Sequence, residues 1–487
     1  MNLSMIRYIV GYVLAVEGAL LLPFGLVGWA YGEPLQAEVY LIVGCTTLLL
    51  GLMLRWKKPE STVFYLKEGC VSTALCWIVM SVMGCLPFLF TGEIATFTDA
   101  MFETVSGFTT TGASILTDVE AMSRTSLLWR SFTHWVGGMG VLVFVLAVVP
   151  LSGGSNMNLM RAESPGPTVG KLVPKVRHTA RILYLIYVVM TIVMLVVLLL
   201  ADMPLFDALN TAFGTAGTGG FAIKADSMAG YSVLLQWIVT VFLILFGVNF
   251  NAYYFILLRQ FRAAFSMEEV RAYLAVILTA TAVITVNILH RCQGLFDAVT
   301  KAAFQVASII TTAGYATTDF DLWPTASKMI LVTLMFIGAC AGSTGGGIKV
   351  SRLLIGGKTM LKEFGSYVHP KSIKKIQMDG KPIEHDVVRS TNVYFVTYLL
   401  LFTLLVFLVS LEGQDLITTF TAVATTFNNV GPGLGAVGPM YSFAGLTDFS
   451  KWVLTFAMLA GRLELFPMLM LFHPTLWKEG FFSRKKE

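Results

Sequence analysis

Ten stretches of this chain are each about twenty mostly apolar residues long, the length a helix needs to cross the hydrocarbon core of a bilayer. They fall at 5–31, 38–55, 68–92, 125–151, 178–201, 231–258, 270–290, 327–357, 387–411 and 449–473. Few folds are open to such a chain. Lipid offers no hydrogen-bond partner, so each crossing must satisfy its own backbone, and windows of this length do so as helices. Only 13% of the 487 residues are charged, about half the ~25% of soluble domains. That is too few to cover the surfaces of two to four soluble domains. An ordinary cytosolic enzyme, a disordered chain and a nucleic-acid binder of the basic-patch kind are excluded. The first window lacks a small-residue cleavage site and is followed by nine more, so it reads as a retained span.

Charge orients the spans. Lys and Arg crowd the loops after spans two, four, six and eight: Arg55, Lys57, Lys58 and Lys67; Arg161, Lys171, Lys175, Arg177 and Arg181; Arg259, Arg262 and Arg271; and seven more between Lys358 and Arg389. The tail adds Lys478, Arg484, Lys485 and Lys486. The alternate loops carry acids instead, among them Glu33, Asp99, Asp207, Asp319 and Asp415. Both termini are therefore expected in the cytoplasm. The six cysteines form no CxxC, and most lie inside spans, as small packing residues rather than metal ligands.

Four outer loops repeat. Each holds a half-apolar stretch too short to span, then a run rich in Gly and Thr: TDAMFETVSGFTTTGAS within 98–115, FDALNTAFGTAGTGGFA at 206–222, FDAVTKAAFQVASIITTAGY at 296–315, and DLITTFTAVATTFNNVGPGLG at 415–435. An acid opens each short helix (Asp99, Asp207, Asp297, Asp415), matching the positive end of the helix dipole. A glycine is expected to end each: Gly112, Gly220, Gly314 and Gly431, separated by 108, 94 and 117 residues. Each repeat contains two spans, so all four copies enter the membrane in the same direction and can surround one axis.

A short re-entrant helix points the negative end of its dipole toward the bilayer centre. Irregular backbone at that depth survives where it lines a watery path. A Thr/Gly run there offers carbonyls and hydroxyls, the oxygens that replace the water shell of a dehydrated cation. Four such loops around one axis make a cation filter. A single such loop would be read as a glycine-rich turn; four at matching places would not.

At these residues the chain resembles the Trk/Ktr/HKT superfamily of potassium transporters, in its TrkH/TrkG branch. The resemblance spans essentially the whole chain and is carried by TTTGAS at 109–114, TGGFA at 218–222, TTAGY at 311–315 and NNVGPGLG at 428–435. It implies an all-α polytopic membrane protein of four helix–pore-loop–helix repeats with pseudo-fourfold symmetry around a central pore. Its parts would be an N-terminal helix pair at 1–58 and repeats at 59–152, 153–260, 261–375 and 376–487. It implies potassium, as transported ion, bound by Thr110, Thr111 and Gly112; Thr218, Gly219 and Gly220; Thr312, Ala313 and Gly314; and Asn429, Val430 and Gly431. The second and fourth loops lack a Thr-Thr pair before the glycine, so a less uniform filter with weaker discrimination against sodium is expected. The family implies an inner-membrane location, a homodimer, and a separate cytosolic TrkA-like nucleotide-binding subunit. The basic segments 161–181 and 358–389 are its expected docking surface, although positive-inside charge alone explains their sign. No organic cofactor and no nucleic acid is implied.

Two features sit off the loops. ACAGSTGGGIKVSR at 339–352 lies in the middle of window eight, where interior glycines cost a helix about 1 kcal/mol each. A break is expected. A phosphate loop needs Gly-Lys-Ser/Thr in sequence, and here Ile348 separates Gly347 from Lys349. The resemblance implies an intramembrane gate formed by Gly342, Ser343, Thr344, Gly345, Gly346 and Gly347, with Lys349 at its inner end. Arg462, with Glu464 nearby, lies in window ten, where a charge is expensive and calls for a partner or the aqueous path. The resemblance makes Arg462 a pore-facing arginine that tunes conduction. Glu103, His134, Asn249 and Asn251 are polar residues in or beside spans and receive no role, His134 reading as a hydrogen-bonded structural residue. No HExxH, no GxSxG and no convergent acid pair points to an enzyme. The alternative, an inverted-repeat transporter of another small solute, needs oppositely oriented halves, which the four like-oriented copies do not supply.

Overall fold

Capping residues and glycine breaks decide where the helices of this chain run. The computed structural model describes residues 1–59, 65–140, 176–370, 375–474 and 476. The second half of window four, most of the basic segment 161–181 and the lysines of the tail lie outside the described residues.

The first helix, Leu3–Tyr31, opens on Asn2, whose side chain accepts the Met5 N–H, and stops at Gly32 in the left-handed region. Pro34 then opens the second, Pro34–Arg55, where its missing N–H is no loss. The pair zips at small residues recurring every seventh position. A Cβ on Gly18 would overlap the Leu48 backbone, and one on Gly51 the Ala15 backbone. In lipid such close packing substitutes for a hydrophobic drive.

After this pair one sequence of elements occurs four times. A long outer helix comes first: Leu66–Phe90, Val176–Leu200, Glu268–Ile288 and His385–Ser410. A short helix follows: Phe97–Phe108, Leu205–Gly217, Leu295–Ile310 and Leu416–Phe427. The short helices are enclosed by the others; every residue from Ala100 to Phe108 and from Thr421 to Phe427 is buried. They begin as their acids demand. Asp415 caps the fourth, accepting the N–H groups of Ile417 and Thr418, and the Thr418 hydroxyl and amide hold its carboxyl below the usual carboxylate range. Each stops three or four residues before the glycine expected to end it, at Phe108, Gly217, Ile310 and Phe427. The intervening residues form an extended loop instead.

Inner helices complete the repeats: Arg124–Gly138, Val233–Phe246, Thr325–Ile337 and Asp448–Arg462. Ser123, Ser232 and Thr447 cap three of them. With 13 to 15 residues each they reach about 20–23 Å, short of the ~30 Å hydrocarbon core. All stop or break at their deep ends. The first stops at Gly138. The second bends by 88° into Phe250–Leu257, whose N-cap is Asn249. The third gives way to an irregular loop before Val350–Val368. The fourth turns at Glu464 and Leu465, both at positive φ, into Phe466–Met470. The expected break in window eight is present; windows six and ten, read as continuous, are also broken. The deep ends pack closely: a Cβ on Gly137 would overlap the carbonyl of Phe108, and one on Gly461 that of Phe427, the last residues of the neighbouring short helices. Among the described residues six helices are therefore long and apolar enough to cross, or seven with the bent pair as one. Among the described residues the windows give six long helices and four inner helices of 13 to 15 residues.

One departure from all-α structure lies in the stretch 358–389. Two-residue strands Gln377–Met378 and Lys381–Pro382 pair antiparallel across Asp379-Gly380, both at positive φ as a tight hairpin turn requires. Cys70, Cys76, Cys85 and Cys340 are buried, Cys45 is exposed, and the six cysteines are free.

Candidate ion filter and gate

The four extended loops share one backbone signature. Thr110, Thr218, Thr312 and Asn429 have φ of 56°, 54°, 61° and 57°, and Gly112, Gly220, Gly314 and Gly431 have 77°, 75°, 83° and 104°. Thr111, Gly219, Ala313 and Val430 stand between them. Left-handed angles at every second residue turn successive carbonyls toward one side, and glycine adopts them without a Cβ penalty. The loops also close on each other. A Cβ on Gly112 would overlap the Gly219 carbonyl; on Gly220, the Ala313 carbonyl; on Gly314, the Val430 carbonyl. On Gly431 it would come within 2.8 Å of the Thr111 carbonyl. Loop one thus meets two, two meets three, three meets four, and four meets one. All twelve residues expected to line a filter are gathered in this ring. Above it lies a cavity of about 360 Å³ bordered by the four glycines, Arg130 and Lys224.

The ring is not uniform. The Thr110 hydroxyl and the Asn429 Oδ1 are buried with no hydrogen-bond partner in the protein, an arrangement that suits oxygens facing a cation. The Thr218 hydroxyl is turned onto Gly217 O at 2.7 Å. The Thr312 hydroxyl accepts the Gly346 N–H at 2.6 Å. Asn429 Nδ2 donates to Thr111 Oγ1 at 3.0 Å and to Met458 O at 2.9 Å, bracing the fourth loop against the first.

Side chains behind the ring staple its first two loops. Glu103, in the first short helix, pairs with Arg130 at 2.5 Å, both buried. Glu103 also accepts the Ser114 hydroxyl at 3.0 Å and the Ile115 N–H at 2.9 Å. Arg130 donates to Ala222 O at 2.9 Å and lies 3.5 Å over the Phe221 ring. His134 hydrogen-bonds Gly107 O through Nδ1 at 2.7 Å, and its Nε2 accepts the Phe221 N–H at 3.1 Å. Those partners fix the neutral ring with its proton on Nδ1. His134 is therefore a bonded structural residue, as read, and one tied to both loops. Arg130 escaped notice in the sequence. The available signal was an arginine inside an apolar window.

Residues 338–349 form an irregular loop packed against the start of the ring: a Cβ on Gly345 would meet the Thr311 carbonyl and one on Gly346 the Asn428 carbonyl. The Gly346 and Gly347 N–H groups hang from the filter, on Thr312 Oγ1 and on Asn428 O at 3.1 Å. Arg462 donates to Thr344 O at 2.9 Å, to Gly138 O at 2.8 Å and to Gly137 O. It ties the loop to the end of the first inner helix. Lys349 folds back onto Gly345 O. Arg352 pairs with Glu464 and lies 4.0 Å over the Tyr394 ring. Gly342, Ser343, Thr344, Gly345, Gly346, Gly347, Lys349 and Arg462 are thus brought together under the ring. Glu269 was missed because it falls just outside window seven. It accepts the Ala341 N–H at 2.6 Å, the Ser351 N–H at 3.2 Å and Asn249 Nδ2 at 3.0 Å. Among the described residues no group of three or more His, Cys, Asp or Glu side chains is placed to hold a metal ion.

Known proteins are similar to this chain in sequence and fold. The profile of the TrkH family, described as cation transport protein, matches residues 37–289 and 285–483. The Trk system potassium uptake protein TrkH of Salmonella typhimurium is 35% identical, over 98% of this chain and 100% of its own length. The Trk system potassium uptake protein TrkG of Escherichia coli is 34% identical over 85% and 86%. The crystal structure of the potassium transporter TrkH from Vibrio parahaemolyticus superposes with a TM-score of 0.87 at 33% identity, covering 98% of this chain and all of that one.

Proposed function

This chain belongs to the TrkH family of cation transport proteins, and from that premise we propose that it is the membrane subunit of a potassium uptake system. Potassium enters the outer cavity, sheds water among the oxygens of the four-loop ring, and passes the 338–349 loop and Arg462 to the cytoplasm. The observation that carries this reading is the closed ring, with left-handed angles at matching pairs of residues in all four loops. Such a ring presents stacked carbonyls to one axis, the chemistry that replaces a cation's hydration. The membrane potential supplies about 2.3 kcal/mol per charge for each 100 mV, so inward flux needs no nucleotide chemistry in this chain.

The filter residues are Thr110 to Gly112, Thr218 to Gly220, Thr312 to Gly314 and Asn429 to Gly431. The gate is 342–347 with Lys349 and Arg462. Basic inner loops support an inner-membrane orientation with both termini cytoplasmic, in which the repeats at 59–152, 153–260, 261–375 and 376–487 follow a pair at 1–58. Regulation falls to a cytosolic TrkA-like subunit seated on the basic face around 358–389, and two copies of the chain form a dimer. Liposomes containing the purified chain, with and without its cytosolic partner, are loaded and tested for rubidium tracer uptake. Uptake that potassium outcompetes and sodium does not is the expected result. No uptake under either condition would defeat the proposal.

A further inference from the structure

Two adjacent glutamates at the start of the third outer helix hold two different things. Glu269 is buried and grips the 338–349 loop from both sides: the Ala341 N–H near its start and the Ser351 N–H in the first turn of the helix that follows it, 2.6 and 3.2 Å away. Its third donor is Asn249, at the bend of the second inner helix. Glu268 faces the other way, onto the hairpin 377–382. Its N–H donates to Asp379 Oδ1 at 2.7 Å, and its carboxylate accepts the Asp379 N–H at 3.1 Å. Lys358 completes the clasp, pairing with Glu268 and donating to Gln377 O at 2.7 Å. Lys358 stands on Val350–Val368, the helix that begins where the loop ends. The hairpin is therefore bonded to both elements that anchor the loop, while Asp379, Gly380, Lys381 and Pro382 are exposed.

We infer that the hairpin 377–382 is the handle of the gate. Seated on Glu268 and Lys358, it fixes the start of the third outer helix, and the neighbouring Glu269 then holds the loop closed across the path. A cytoplasmic partner that lifts the hairpin breaks the reciprocal Asp379–Glu268 bonds, shifts Glu269 and frees both loop ends together. The exposed Asp379-Gly380 turn is the contact such a partner reaches. This rests on the reading of 338–349 as the gate.

The test is made on the purified full chain. Asp379→Gly keeps the left-handed turn but removes the carboxylate. Asp379→Asn keeps both the turn and an acceptor for the Glu268 N–H. Loss of one hydrogen bond to a charged group should speed amide exchange in peptides covering 338–352 by about tenfold. Rubidium flux without any partner should rise with it, and Asp379→Asn should behave as wild type. Exchange in 338–352 that is the same in Asp379→Gly and wild type overturns the handle, whatever the flux. Faster exchange with unchanged flux overturns the gate reading on which it rests.

Discussion

The Thr312 hydroxyl accepts the Gly346 N–H at 2.6 Å, so the loop beneath the filter hangs from the filter itself. A side chain expected to face an ion is bonded instead to the element expected to block it. The bond is made in the third of four loops that share one backbone signature.

Thr312→Val keeps the shape and removes the acceptor. An orphaned buried N–H costs about 1–3 kcal/mol, and here that cost falls on the closed loop. Basal rubidium flux should rise while Thr312→Ser stays near wild type. Equal flux in all three proteins would show that this bond does not restrain the loop.

The filter glycines should not be equivalent. Alanine at Gly112, Gly220 or Gly314 places a Cβ onto the next loop's carbonyl, at positive φ. At Gly431 the nearest atom is 2.8 Å away, a milder contact. Left-handed strain adds about 1–2 kcal/mol at each. Gly220→Ala should lose flux by more than about tenfold, the effect of 1.4 kcal/mol or more, with Gly431→Ala the least affected of the four. Tracer uptake matched to the amount of folded protein, by size-exclusion profile, orders them.

Much of this arrangement was legible before any coordinates. The acids, the short apolar stretches and the Gly/Thr runs specified four like-oriented loops, because each is a local signal. What was not legible is where the chain breaks. Windows six and ten read as continuous because hydropathy reports the solvent a residue prefers, and Gly247 or Gly461 is acceptable inside a span. At these breaks a Cβ on Gly461 would overlap the Phe427 carbonyl and one on Gly247 the Tyr273 hydroxyl, and no sequence window contains those contacts. Glu269 was lost for a related reason. Its three partners come from residues 249, 341 and 351, and only the fold collects them.

Arg462 bridges Thr344, Gly137 and Gly138 carbonyls from two separate elements. A planar guanidinium reaches such divergent acceptors together; an ammonium does not. Arg462→Ala should therefore raise potassium flux, by freeing the loop and by removing a fixed positive charge, and Arg462→Lys should fall between. Unchanged flux at normal expression would leave Arg462 without a role in conduction.

The Glu103–Arg130 pair should behave as a unit. Removing one buried partner leaves an uncompensated charge, at about 3–5 kcal/mol. Arg130→Met should be strongly destabilised, and adding Glu103→Gln should recover part of the loss. Thermal unfolding of the two single variants and the double gives the coupling; additive losses would mean the pair is not coupled.

His134 offers the sharpest separation of support from chemistry. Its ring lies 4.1 Å from that of Phe221, centroid to centroid, and its two nitrogens serve Gly107 near the end of the first short helix and Phe221 just past Gly220. His134→Phe preserves the ring packing while abandoning both hydrogen bonds, leaving the Phe221 N–H, one residue past Gly220, buried and unpaired. The first two loops then keep only the Glu103–Arg130 staple between them, whereas the Thr312 and Asn429 bonds are untouched. An ion site built by all four loops loses its fit before the pore loses its continuity. Rubidium uptake should persist while its advantage over sodium falls, measured as the ratio of the two tracers in the same liposomes. A ratio equal to wild type would mean that the staple holds the fold and leaves the filter's choice of ion untouched.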